Sequence, residues 1–197
     1  VDQPPRRHIM LILLVAYFCA GYGYVISATF IVDIVEGVPG LEGLGASVFL
    51  IIGVAVMPAA IVWDRIARRV GYLKALMLAY SVQVLGIVLP VFTDSYLGAL
   101  MSALLYGGTF IGCVSLVLTM AGRFYPTRPA KLMGKMTLSY GVAQIVAPAL
   151  TGMLAQQDGN YDMGLLLAGG FVALGAVLIG VLIVLEQRDQ PSLAVQG

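Results

Sequence analysis

The chain holds 197 residues, of which 60% are hydrophobic and only 11% charged, with a mean hydropathy of +0.96, whereas a soluble domain carries about 25% charged residues. So much apolar surface excludes a water-soluble globule, and because it falls in long blocks rather than short alternating runs, the spanning elements are expected to be helices and not the strands of a β-barrel. A net charge of +1 gives no electrostatic footprint for nucleic acid.

Residues 1–8 are polar, with Pro4, Pro5, Arg6 and Arg7, and lack the apolar stretch and cleavage site of a signal peptide. They read as a cytoplasmic linker between domains, on which the chain is expected to be a fragment of a longer protein. Runs of about 20 apolar residues, enough to cross a ~30 Å hydrocarbon core, follow at 9–32, 44–62, 72–92, 95–120, 132–155 and 163–185. They define an all-α transmembrane domain over 9–186, a six-helix bundle, and leave 187–197 as a cytoplasmic tail.

Span one sets Tyr17, Gly21, Tyr24 and Ala28 along one stripe, with Cys19, Gly23 and Ser27 as a ridge of small residues beside it. A helix of this kind packs closely on one side and presents phenols on the other. The tyrosines are candidates for lining a substrate cavity together with Ser27, or they belong to an interfacial belt. Asp33, at the outer end of the span, is the nearest approach of any carboxylate to the membrane interior. It is a candidate for proton coupling, or a solvated helix end.

The basic stretch between spans two and three reads Trp63-Asp64-Arg65-Ile66-Ala67-Arg68-Arg69-Val70-Gly71-Tyr72. Gln83, Tyr80 and Pro90 in span three, and Tyr106, Ser102, Thr109 and Cys113 in span four, form sparse polar faces on apolar helices. Each such group lines a cavity or supplies an interhelical hydrogen bond. Gly108 and Gly112 are spaced for close helix packing. Span five places Thr137, Gly141, Gln144, Pro148 and Gly152 on one face, and a proline in mid-membrane kinks the helix and frees a carbonyl that neighbours must satisfy. Gly169, Ala173, Ala176 and Gly180 in span six make a small-residue stripe of structural character.

All 11 Lys and Arg residues fall in the same set of alternate loops and termini, and the opposite loops hold only acids: Asp33, Glu36, Glu42, Asp94, Asp158 and Asp162. The positive-inside rule therefore places both termini in the cytoplasm. No phosphate-cradling glycine loop, no G-x-S-x-G and no metal-spaced cluster of His and Cys occurs, which points away from ATP hydrolysis, intramembrane proteolysis and metal chemistry. The chain is read as no enzyme, with no cofactor. Cys19 and Cys113 lie inside apolar blocks and behave as small hydrophobic groups.

The stretch Asp64-Arg65-x2-Arg68-Arg69 resembles the D-R-x-G-R-[RK] loop of the major facilitator superfamily, with Ala60 and Ala67 standing where that motif has glycines. Together with Tyr17-x3-Gly21-x-Gly23-Tyr24, Tyr106-Gly107-Gly108-Thr109-Phe110 and Gly141-x2-Gln144-x3-Pro148-x3-Gly152, nearly the whole chain resembles the C-terminal half of transporters of the YbfB/YjiJ-type branch. The resemblance implies twelve helices in two halves related by an axis along the membrane normal, with a site for a small organic substrate between them near the midplane. It implies that Asp64, Arg65, Arg68 and Arg69 form a cytoplasmic gating cluster, a plain positive-inside anchor being the other reading. Tyr17, Tyr24, Ser27, Tyr106, Thr109 and Gln144 would line the cavity, and the protein would sit in a bacterial inner membrane. Its partners would be the lipid bilayer, a small-molecule substrate, and the missing N-terminal half or a second copy. A stand-alone six-helix protein, acting as a parallel dimer or as a non-transporting scaffold, is the alternative.

Overall fold

The computed structural model describes residue 2 and residues 5–189; Val1, Gln3, Pro4 and the tail from 190 to 197 lie outside the described residues. Six helices account for almost all of them: α1 (Arg7–Glu36), α2 (Gly45–Val70), α3 (Tyr72–Phe92), α4 (Tyr96–Phe124), α5 (Pro129–Asp158) and α6 (Asp162–Asp189). Each is long and apolar enough to cross a membrane. Every helix except α3 extends beyond its apolar run, because backbone hydrogen bonding continues where composition turns polar. A 30-residue helix such as α1 is about 45 Å long, so its ends reach into the headgroup layers. Arg7 and His8, read as linker, are the first turn of α1, and residues 187–189, read as tail, are the last turn of α6.

The largest departure from the sequence reading lies between α2 and α3. Residues 63–70, taken as a loop, are the last two turns of α2, and Gly71 alone breaks the chain, at φ 96 and ψ 155. Only glycine adopts that backbone without strain. Arg68 and Arg69 in the final turn complement the negative end of the helix dipole. α5 closes in a similar way, with Gly159 in the left-handed region at φ 75.

The helices pack in the order α2, α4, α3, α6, α1, α5, and α1 also touches α2, α3 and α4. α3 and α6 lie against each other behind α1 and α4, which leaves α2 and α5 flanking the other side of that central pair. Leu13, Ala16, Tyr80, Leu116, Ala143 and Val172 are buried between them. α2 and α5 bury the least of their surface, and Leu50, Met57 and Ile61 on α2 and Leu138, Ile145 and Met153 on α5 are exposed.

Glycine positions differ from those expected. On α4 it is Gly107 and Gly112 that approach α2, where a Cβ would meet Ile52 and Trp63, whereas a Cβ on Gly108 would meet nothing. On α6 the stripe facing the bundle runs through Gly164, Ala168, Gly175 and Ile179 rather than Ala173 and Gly180. A Cβ on Gly175 would lie 2.6 Å from the Tyr80 ring.

Candidate functional site

Five aromatic rings from three helices meet on the side flanked by α2 and α5. Tyr17 and Tyr24 come from α1, Tyr106 and Phe110 from α4, and Tyr140 from α5. Ring centroids are 4.7 Å apart for Tyr17 and Tyr140, 5.8 Å for Tyr24 and Tyr140, 4.6 Å for Tyr24 and Phe110, and 5.8 Å for Tyr106 and Phe110. These separations are those of attractive aromatic pairs. Gly21 makes the arrangement possible: a Cβ there would sit 3.0 Å from the Tyr140 carbonyl oxygen and 3.1 Å from its ring. Tyr140 therefore lies over a bare stretch of α1, between Tyr17 one turn below and Tyr24 one turn above. Tyr17, Tyr106 and Tyr140 are buried, while Tyr24 and Phe110 are half-buried and form the accessible edge.

Proline fixes the polar groups around this face. A proline at position i frees the carbonyl of residue i−4. Pro90 thus frees Gly86, and the Ser102 hydroxyl donates to that carbonyl at 2.5 Å. In α5, Pro148 frees the carbonyl of Gln144, and no described side chain donates to it. Gln144 and Pro148 are half-buried, and Gln144 lies one turn beyond Tyr140 on α5.

The remaining sequence candidates divide. The Tyr106 hydroxyl donates to the Tyr24 carbonyl at 3.1 Å and ties α4 to α1. The Thr109 hydroxyl turns back onto its own helix, donating to the Leu105 carbonyl at 2.7 Å. Ser27 is buried on α1. Tyr80 and Gln83 of α3 serve packing: the Tyr80 hydroxyl donates to the Ala16 carbonyl at 2.7 Å, and the Cys113 thiol donates to Gln83 Oε1 at 3.4 Å. Asp33 is exposed and accepts a long hydrogen bond, 3.4 Å, from the Tyr161 hydroxyl of the α5–α6 turn. Asp64 pairs with Arg68 one turn on, at 2.9 Å, an exposed contact of little energetic weight. Trp63 belongs to the core: its Nε1 donates to the Gly108 carbonyl at 2.6 Å.

Tyr140 escaped the sequence reading, because attention to the Gly141, Gln144 and Pro148 stripe passed over the neighbouring turn that faces α1. Tyr17 and Tyr24 on either side of Gly21 were the available signal, since a glycine between two phenols one turn away in each direction leaves room for a third ring.

Six helices, each long and apolar enough to cross a membrane, with prolines inside them and an aromatic face on α1, α4 and α5, have the make-up of a multi-pass membrane protein. The family described as "Uncharacterised MFS-type transporter YbfB" matches residues 2–180, and the chain belongs to that family of the major facilitator superfamily. Comparison with curated proteins gave no match.

Proposed function

We propose that the chain forms one six-helix half of a secondary transporter that moves a small organic solute by alternating access, driven by a proton gradient. The observation that carries this reading is the five-ring aromatic face on α1, α4 and α5, with the carbonyl that Pro148 frees at Gln144 one turn along α5 from Tyr140. It combines apolar area with few polar contacts, the usual composition of a small-molecule site. No lysine, arginine or carboxylate lies among those rings, which favours an amphipathic or aromatic solute over a highly charged one. The exposed apolar flanks of α2 and α5 border this face, and they are the surfaces a second six-helix unit would cover.

Asp33 is the residue proposed to couple transport to protons, since its bond to Tyr161 links the end of α1 to the α5–α6 turn. Arg65 and Arg69, which have no carboxylate partner among the described residues, are proposed to engage the other half when the basic end closes. That end is assigned to the cytoplasm of a bacterial inner membrane on the asymmetry of Lys and Arg. The test is flux of aromatic and amphipathic solutes into proteoliposomes holding the complete polypeptide under an imposed pH gradient. Tyr24→Ala with Phe110→Ala is expected to abolish uptake; unchanged uptake would overturn the site. Full gradient-driven transport by Asp33→Asn would remove that residue from the coupling role.

A further inference from the structure

A hollow of about 900 Å³ opens between the ends of α1, α3, α4 and α6 at the basic end of the bundle. None of the five rings of the candidate site lines it, and it draws on α3 and α6, two of the three helices that the aromatic face leaves unused. Its apolar lining includes Leu13 and Leu182, both buried, with Ile9, Leu73 and Phe124. Ile183 carries the lining onto α6, where Val181 and Val184 on the adjoining positions are 42% and 49% exposed. The apolar wall of the hollow is thus continuous with the surface that faces acyl chains.

The polar part of the lining is cationic. Besides Arg6, it holds Lys74 and Arg123, with Glu186 as the carboxylate among the described residues that line it. Lys74 is exposed and has no carboxylate partner among the described residues. Arg123 donates from Nη2 to the Tyr72 hydroxyl at 2.9 Å and stands 4.4 Å from the centroid of the same ring. A phenol orients the guanidinium without neutralising it, and its own proton remains available to a further acceptor. Positive charge held at the membrane surface above an apolar cleft is the chemistry that takes a phosphate-bearing amphiphile.

We propose that this hollow binds an anionic phospholipid of the adjoining leaflet, with the phosphate on Lys74 and Arg123 and the upper acyl chain along Leu73, Leu182 and Ile183. Lys74 and Arg123, neither paired with a carboxylate among the described residues, favour an anionic over a zwitterionic headgroup, and Glu186 with Gln187 can meet the hydroxyls of a glycerol headgroup. A juxtamembrane cation contributes about 1 kcal/mol toward an anionic lipid, roughly a five-fold change in affinity.

The experiment is native mass spectrometry of the purified complete polypeptide, delipidated and titrated with phosphatidylglycerol, phosphatidylethanolamine or phosphatidylcholine. Phosphatidylglycerol is expected to be retained selectively, with roughly five-fold weaker retention in Lys74→Gln and a further loss in Lys74→Gln/Arg123→Gln. Arg128→Gln, a cation of the same end outside the hollow, is expected to bind as the parent does. Because Lys74 is exposed, its single variant keeps the test valid if loss of the Arg123–Tyr72 contact impairs folding. Equal retention of the zwitterionic lipids, parental binding by Lys74→Gln, or an equal loss in Arg128→Gln would overturn the proposal. So would phosphatidylglycerol binding that emerges only on deletion of residues 190–197, which would make that segment the occupant.

Discussion

The α2–α4 contact offers a sharp test of the packing, because three neighbouring glycines of α4 differ only in what a methyl group would meet. A Cβ on Gly112 would collide with the Trp63 ring, lying 2.6 Å from its Cγ, and one on Gly107 would lie 2.8 Å from the Ile52 carbonyl oxygen and 3.0 Å from its Cα. On Gly108 it would meet no atom within 4 Å. Overpacking of this kind costs about 1–3 kcal/mol. At Gly112 the displaced indole also strains the Trp63 bond to the Gly108 carbonyl, 2.6 Å in the parent, an interhelical hydrogen bond worth about 0.6 kcal/mol in a membrane protein. Against this, Gly→Ala in a helix gains up to about 1 kcal/mol. The net expectation is a loss of about 1–3 kcal/mol for Gly112→Ala, a somewhat smaller loss for Gly107→Ala, and for Gly108→Ala no loss or a gain of up to about 1 kcal/mol. Equilibrium unfolding of each variant by SDS in mixed micelles measures the difference. Gly108→Ala as damaging as Gly112→Ala would refute the helix rotation described for α4 and return the contact to the Gly108–Gly112 face that spacing suggested.

Ser102→Ala leaves the carbonyl freed by Pro90 uncapped and is expected to cost about 1 kcal/mol in the same assay; in a Pro90→Ala background the cost should fall, and an additive double mutant would separate the two residues. Tyr106→Phe removes the bond to the Tyr24 carbonyl but keeps the ring, so it should lower stability by about 0.6 kcal/mol while solute binding survives, as titration of the purified variant would show. Glu36 accepts from the Gly43 and Gly45 amides at 2.6 and 3.0 Å, and Glu36→Gln is expected to loosen the α1–α2 turn, read as faster amide exchange over residues 37–44. The Asp2 carboxylate accepts from the Thr127 hydroxyl at 2.6 Å and the Thr127 amide at 3.0 Å, and the hydroxyl first, then the amide, hold its carboxyl below the usual range. A lowered pKa means that the tether is intact above about pH 4, the ordinary carboxylate value, and is lost only as pH falls through the lower folded value. Thr127→Val should move the Asp2 titration, followed by carboxyl NMR, back up toward the ordinary value; no movement would discount the tether.

Much of the fold was legible because membrane insertion imposes a length and an apolarity that sequence displays directly. Six runs gave six helices, and α3 runs Tyr72–Phe92 because Gly71 and the Thr93–Ser95 turn mark its ends chemically. The other helix ends were not legible, because a helix does not stop where hydrocarbon does. Asp64 to Arg69 looked like a loop for that reason: polarity was taken for a break, while the backbone break needs only Gly71. Motif resemblance carried the family correctly even so, as residue types survive an error in local conformation.

The candidate site was legible by helix and not by rotation. Tyr17 and Tyr24 were recognisable from their spacing around Gly21, but a period of 3.6 residues cannot say which neighbour fills the gap, and Tyr140 lies more than 100 positions away in sequence. The same limit explains Thr109 and Gly108: both sit on an amphipathic turn, yet a hydroxyl can satisfy itself on its own helix at no packing cost, and one glycine of an adjacent pair suffices for close approach. Where the sequence did encode rotation, it did so through proline. Pro90 and Pro148 each expose one identifiable carbonyl, Gly86 and Gln144, and the structure caps the first with Ser102 while leaving the second without a side-chain donor. Two prolines with the same local chemistry therefore end in different roles, decided by whether a hydroxyl stands opposite. A hydroxyl introduced opposite Gln144 would accordingly cap its carbonyl as Ser102 caps that of Gly86.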